Sequence, residues 1–382
     1  MKYVKKGCLF FITVSIVLSA SCGHVSTKPK QQEYITIGAL FPLTGEYCDE
    51  GIRALNGLQL ARQEINDNGG VLGKKLDIIA LDDKGDEEIV VRQYNILKER
   101  GVVAVIGSSF SPATLALAKA AEKDGIPVIS PTASSPEVTS GRANVFRMIF
   151  LDDYQARALA SFASVTLRAK TALVIDGDAR YSLASKSFEE AFRSRGGRVV
   201  AHERYGDPQE FDAILNKYAA KQPDVIFCPS DYIAAAVLAE AAHRVGLDKT
   251  SFIGIDAWDG ILNFLHETAV MDRVYYAAPF AFDDTTAKVT EFSQKYFDNF
   301  SYMPISTSAL SYSAVQILVA AIGKAGSAKA EDIIMELKTG VHEAVTGQLR
   351  YDAQNNPFNP QTSVYIMRIK DGYYTSLEKI RI

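Results

Sequence analysis

From Tyr34 onward, short apolar runs alternate with longer segments in which apolar residues recur every three or four positions. Runs at 35–40, 76–81 and 102–106 predict strands, and the segments at 51–66 and 86–100 predict the helices between them. In the first helix the apolar stripe is Ile52, Leu55, Leu58 and Ile65. A small-residue turn, Gly107-Ser108-Ser109-Phe110-Ser111, leads into the next helix. There Ser111 is the expected N-cap, Pro112 sits in the first turn and Gly125 is the stop. A strand at 127–130 then runs into a second polar loop, Pro131-Thr132-Ala133-Ser134-Ser135-Pro136.

A strand at 145–150 opens a second series of the same kind. Helices are predicted at 152–167, 182–195, 209–220 and 233–245, and strands at 171–175, 198–203, 225–228, 252–255 and 274–277. The tail changes character: three helices (285–299, 306–325 and 330–338) precede two strand-like runs at 347–351 and 363–370. Such alternation predicts an α/β fold of two doubly wound parallel-sheet lobes enclosing a cleft. The candidate linkers lie near Phe150, Phe280 and Thr346. Two consecutive strands end in Ser/Thr/Ala-rich loops, and ligands of open parallel sheets sit outside those strand ends. Backbone N–H groups and hydroxyls there suit a small anion such as a carboxylate.

The segment before Tyr34 reads as a secretory leader. Lys2, Lys5 and Lys6 precede an apolar stretch at 9–18, shorter than the ~20 residues that span a bilayer. Leu18-Ser19-Ala20-Ser21-Cys22 resembles a bacterial lipobox, with the leucine one place early. The expectation is a leader at 1–21, a lipid anchor on Cys22 and a polar tether at 22–33.

Composition narrows the function classes. The 382 residues are 47% hydrophobic and 23% charged, with a net charge of −4. No basic cluster lies beyond the extreme N-terminus, which argues against nucleic acid. Cys48 and Cys228 read as two isolated thiols, a disulfide between them being the alternative. The five histidines are scattered, and no dinucleotide, phosphate-loop or metal-binding signature occurs, so no catalysis, cofactor or metal is expected. Asp82 and Asp83 with Asp86, Glu87 and Glu88 lack calcium-loop spacing and read as an acidic helix N-terminus.

An ordered set of motifs carries a resemblance. It includes Ile37-Gly38-Ala39, Pro42-Leu43-Thr44-Gly45, Asn56-Gly57, Glu64-Ile65-Asn66, Gly69-Gly70, Asp82-Asp83 and Val105-Ile106-Gly107. The run from Ile126 to Pro136, Gly254-Ile255-Asp256-Ala257-Trp258-Asp259 and Tyr312-Ser313-Ala314 follow in the same order. From Tyr34 to Ile382 the chain resembles the leucine/isoleucine/valine-binding protein family, the type I periplasmic binding proteins of ABC importers. The resemblance implies two lobes joined by three hinge crossings, one of 34–150 plus 281–345 and the other of 151–280 plus 346–382. It implies that Ser111, Thr132, Ala133 and Ser134 hold an amino-acid carboxylate and that Asp256 meets the ammonium. Tyr181 would close over the ligand, and Asp231 and Tyr232 would occupy another contacting loop; Phe110 and Trp258 read either as core or rim residues or as part of the side-chain pocket. Asp231 and Asp259 would either read a basic or amide side chain or cap helices.

Four positions depart from the family pattern. Asp256 stands where glutamate is usual, Ser134 replaces threonine, and Asp83 and Phe110 occupy the places of an occasional disulfide. The expected function is a monomeric, extracytoplasmic, membrane-anchored lipoprotein. It would deliver an amino acid, branched-chain or otherwise apolar, to ABC permease subunits by hinge closure. The alternatives are a ligand-sensing receptor on the same scaffold and a binder of an amide, urea or aromatic acid.

Overall fold

The computed structural model of the chain describes residues 34–177, 181–358 and 363–381. Its first sheet is built from β1 (Tyr34–Phe41), β2 (Lys75–Asp82), β3 (Val105–Gly107), β4 (Val128–Ser130) and β5 (Val145–Arg147), in the order β2-β1-β3-β4-β5. All its pairings are parallel; Ile37 stands opposite Ile78, and Gly38 opposite Val105. Helices α1 (Cys48–Asp67), α2 (Glu87–Glu99) and α3 (Ser111–Asp124) form the crossovers. Their apolar stripes cover a sheet in which Ile37, Ala39, Val105, Ile106, Val128 and Ile129 are fully buried. Continuous burial of that kind is what a parallel sheet covered on both faces produces.

The second sheet takes β6 (Thr171–Asp176), β7 (Arg198–Arg204), β8 (Val225–Phe227), β9 (Ser251–Gly254) and β10 (Val274–Ala278). Its helices are α4 (Asp152–Val165), α5 (Ser182–Ser194), α6 (Phe211–Asn216), α7 (Tyr232–Arg244) and the short α8 (Thr268–Met271). The chain then returns to the first sheet with α9 (Ala287–Phe300), α10 (Ser306–Ala325) and α11 (Ala330–Thr339). The apolar α10 is buried against α1. Gly57 permits this approach, since a Cβ there would lie 2.3 Å from the Ser308 carbonyl oxygen.

The tail departs from expectation in two ways. The antiparallel strands β11 (His342–Ala344), β12 (Gly347–Tyr351) and β13 (Pro357–Phe358) stay beside the first sheet. Tyr351 packs edge-on against Phe146, and the Asn355 amide donates to the Val145 carbonyl at 3.0 Å. Past residue 346 the chain accompanies the first sheet through this hairpin and joins the second at β14 (Val364–Lys370). Secondly, β14 and an unforeseen β15 (Tyr373–Ile380) pair antiparallel, giving the order β15-β14-β10-β9-β8-β6-β7. The second sheet is thus mixed rather than wholly parallel. Cys48 and Cys228 are free thiols, Cys228 within the core.

Candidate functional site

The carboxyl ends of the strands of both sheets meet at one cavity of about 740 Å³, counting its open mouth. The first-sheet side supplies Ser109, Phe110, Ser111, Pro112, Thr132, Ser134 and Ser135, with Glu50 from α1 and Ile305, Ser306 and Thr307 from the start of α10. Across from them stand Asp152, Tyr181, Ile255, Asp256, Ala257 and Asp259.

The first wall consists of two polar loops bonded to each other. Thr132 Oγ1 donates to the Ser109 carbonyl at 2.9 Å, and the Ser135 N–H reaches Ser111 Oγ at 3.3 Å. Phe110, not Ser111, is the N-cap of α3; Ser111 is the first helical residue, so its hydroxyl faces the cavity instead of capping the helix. Arg147, fully buried at the end of β5, fixes the second loop from behind. It donates to the carbonyls of Ala133 (2.9 Å) and Ser135 (2.6 Å) and to Thr139 Oγ1 (3.0 Å). Burial lowers its pKa to about 10, with Asp152 and Asp352 opposing that shift.

Carboxylates dominate the other wall. Asp256 opens a 3₁₀ turn after β9, and that turn closes only because residue 254 is glycine. A Cβ on Gly254 would sit 2.0 Å from the Trp258 ring. The Gln155 amide bridges two acids, donating to Asp256 Oδ1 at 2.6 Å and Asp152 Oδ1 at 3.0 Å. The Asp256 N–H returns a bond to Gln155 Oε1 at 2.9 Å. Asp259 accepts from the Ser306 N–H at 2.9 Å and the Tyr276 hydroxyl at 3.1 Å.

Confinement of these acids raises their pKa values. Burial pushes Asp256 up to about 7, and the charges of Asp152 and Asp259 add to it. Glu50 is pushed up to about 8 by burial and then by Asp256 and Asp259, with a hydrogen bond to Ser109 opposing the shift. Asp152 and Asp259 are also raised, each chiefly by burial. Water is a poor competitor in such a place, so an incoming cation would meet strong attraction.

Seven of the expected residues line the cavity: Phe110, Ser111, Thr132, Ser134, Tyr181, Asp256 and Asp259. Four do not. Ala133 spends its N–H on Ser130 Oγ and its carbonyl on Arg147. Asp231 caps α7, accepting from the N–H groups of Ile233 and Ala234. Tyr232 is buried and packs against Tyr47 and Phe264. Trp258 is fully enclosed, and its Nε1 donates to Ser230 Oγ at 3.1 Å. Cys22 lies outside the described residues. Sequence reasoning missed Glu50 and Asp152 as cavity residues. The helix was expected from Gly51 onward, which left Glu50 in a loop; α1 begins at Cys48 and carries Glu50 in its first turn. No group of metal-ligating side chains occurs among the described residues.

Comparison with known proteins bears on this geometry. The family profile described as periplasmic binding protein matches residues 34–373. The chain belongs to that family. Within it, the type I fold and the leucine/isoleucine/valine-binding branch are where it falls. It is 26% identical over 373 residues to the Leu/Ile/Val-binding protein BraC3 of Rhizobium johnstonii, covering 93% of this chain and 97% of that one. The leucine-binding protein LivK of Thermotoga maritima superposes with a TM-score of 0.82 at 27% identity, covering 91% of this chain and 99% of the other. LivJ of Streptococcus pneumoniae, solved with isoleucine, gives 0.81 at 28% identity, covering 91% and 100%. A solute-binding protein from R. palustris in complex with benzoate shares the fold at 22% identity, with a TM-score of 0.79 and coverage of 91% and 96%. The family to which the chain belongs is one of solute-binding proteins.

Proposed function

We propose that this chain is the extracytoplasmic receptor that captures a free amino acid and presents it to the permease of an ABC importer. The carrying observation is the cavity's division into a neutral donor wall and a carboxylate wall. A zwitterion brings one charge for each. Its carboxylate would lie against the polar loops at Ser111, Thr132 and Ser134, and its ammonium against Asp256. Charge-assisted hydrogen bonds of both kinds are stronger than neutral ones. A ligand lacking either charge would leave a buried group unanswered, which costs several kcal/mol.

Two lobes hinged near 148–151 and 279–286 would close on the ligand, with Tyr181 over its mouth. The relatives named for leucine, isoleucine and valine support an amino acid as cargo. An aromatic acid fits the walls less well, because it offers no cation to Asp256. The expectation of an apolar side chain leaned on aromatic residues, of which Phe110 and Tyr181 line the cavity and Trp258 does not. We further propose that Cys22 is lipidated and tethers the mature chain to the membrane. Incorporation of labelled palmitate that is lost in Cys22→Ala would establish it.

The test is calorimetric titration of the ligand-stripped protein with each common amino acid, repeated on Asp256→Asn. The expected result is selective, saturable binding of one group of amino acids that the substitution abolishes. Absence of binding by every amino acid would overturn the proposal while leaving the fold assignment intact.

A further inference from the structure

The cavity holds more carboxyl groups than the ammonium of a simple zwitterion can answer. Asp152 lies within the field of Arg147, and Asp49 pairs with Arg53 at 2.8 Å. Three lining carboxyl groups remain: Glu50, Asp256 and Asp259. The ligand ammonium answers Asp256. Asp259 has hydrogen bonds from Ser306 and Tyr276 and lies within the field of Arg53, which is itself paired with Asp49, but no lysine, arginine or histidine stands within ion-pair distance of it or of Glu50 among the described residues.

Glu50 and Asp259 approach the same space from different elements, the first turn of α1 and the loop after β9. Asp259 contributes to the field at Glu50 along with Asp256. A second feature points into this space. Thr307, only 4% exposed, lines the cavity, and its Oγ1 has no hydrogen-bond partner. An unpartnered hydroxyl in so enclosed a place marks a seat for a polar ligand group. Ile255 and Ile305 on the same walls provide apolar surface for an aliphatic stem.

We propose that the ligand is an amino acid whose side chain ends in a second cation, ammonium or guanidinium, seated between Glu50 and Asp259 beside the Thr307 hydroxyl. The inference rests on the amino-acid reading above and specifies its side chain. A branched aliphatic side chain would desolvate two carboxyl groups and give neither a partner. A basic side chain answers both, and its methylenes cover the apolar surface.

Isothermal titration of the ligand-stripped full chain would compare L-lysine and L-arginine with L-norleucine, L-leucine and L-glutamine at one pH and salt concentration. Norleucine keeps the length of lysine without its terminal charge. The expected result is binding of lysine or arginine at least about tenfold tighter than norleucine, leucine or glutamine, since a buried charge pair carries that much discrimination or more. Glu50→Gln should remove most of this preference for lysine and arginine over norleucine. The wild-type comparison needs no variant, so a Glu50→Gln protein that fails to fold does not blunt the test. Leucine, norleucine or glutamine binding as tightly as lysine and arginine would overturn the side-chain inference and leave amino-acid capture standing. No binding by any amino acid would overturn both.

Discussion

The loops after β4 and β9 stand at corresponding ends of their two sheets, yet they are built from opposite chemistry. The loop after β4 presents hydroxyls and backbone groups, held in place by the buried Arg147. None of those cavity-facing groups titrates near neutrality, so that pole keeps one character at any physiological pH. The loop after β9 presents Asp256 and Asp259, whose carboxyl groups are enclosed and whose pKa values are raised. That pole takes its charge from what occupies the cavity. The comparison teaches that one wall is preorganised for an anion, whereas the other is strained by like charge until a cation arrives.

The sharpest way to break this contrast is Asp256→Asn. We expect amino-acid affinity to fall by about 100-fold or more, as for loss of one partner of a buried charge pair. The melting temperature of the unliganded protein should rise, because a buried like-charge contact is removed. Calorimetry and thermal unfolding of the same preparation read both effects. Arg147→Met attacks the other wall from behind. Three acceptors lose their donor and Asp152 loses a compensating charge, so unfolding stability should drop by about 3 kcal/mol in a denaturant titration. Ser134→Ala is milder: one hydroxyl is lost at the neutral pole, together with its hydrogen bond to Asp152, and affinity should fall about tenfold.

The smallest expected effect is the pH dependence of the empty protein. Glu50 faces Asp49, Asp256 and Asp259, with Ser109 beside it; Asp256 faces Asp152, Asp259 and Gln155. Their folded pKa values of about 8 and about 7 stand above the ordinary carboxyl values of 4.5 and 3.8. Between those limits the folded form binds more protons than the unfolded form, so stability falls as pH rises through the window. Melting temperature should therefore decline from about pH 5 to about pH 8 without ligand. A saturating cationic amino acid should oppose the decline, because it favours the ionised carboxylates. A flat profile would show that the acidic wall is not under the strain described.

Most of the fold was legible because helix and strand periods alternate so regularly through β1 to β10. What escaped was the tail. The residues of β15, Tyr373–Ile380, mix polar and apolar positions at an edge where only one side is paired, so no buried run announces it. The neutral pole was legible as well, since two Ser/Thr-rich loops after adjacent strands say what they offer. The acidic pole was only half visible. Asp256 stands in a short motif, but Glu50 and Asp152 lie in the first turns of helices, where acids are ordinary companions of the helix dipole. Only the tertiary arrangement turns them from surface charges into cavity walls. Trp258 shows the reverse error: an aromatic in the right motif serves the core, packed over Gly254 and bonded to Ser230.

The most direct measurement of the central claim, that a zwitterionic headgroup spans the two walls, is a deletion series on the ligand. The amino acid that binds best would be compared by calorimetry with its analogue lacking the α-amino group and its analogue lacking the α-carboxylate. The account predicts that each deletion weakens binding by about 100-fold or more, one through Asp256 and the other through Ser111, Thr132 and Ser134. Retention of affinity within about threefold by either analogue would contradict it.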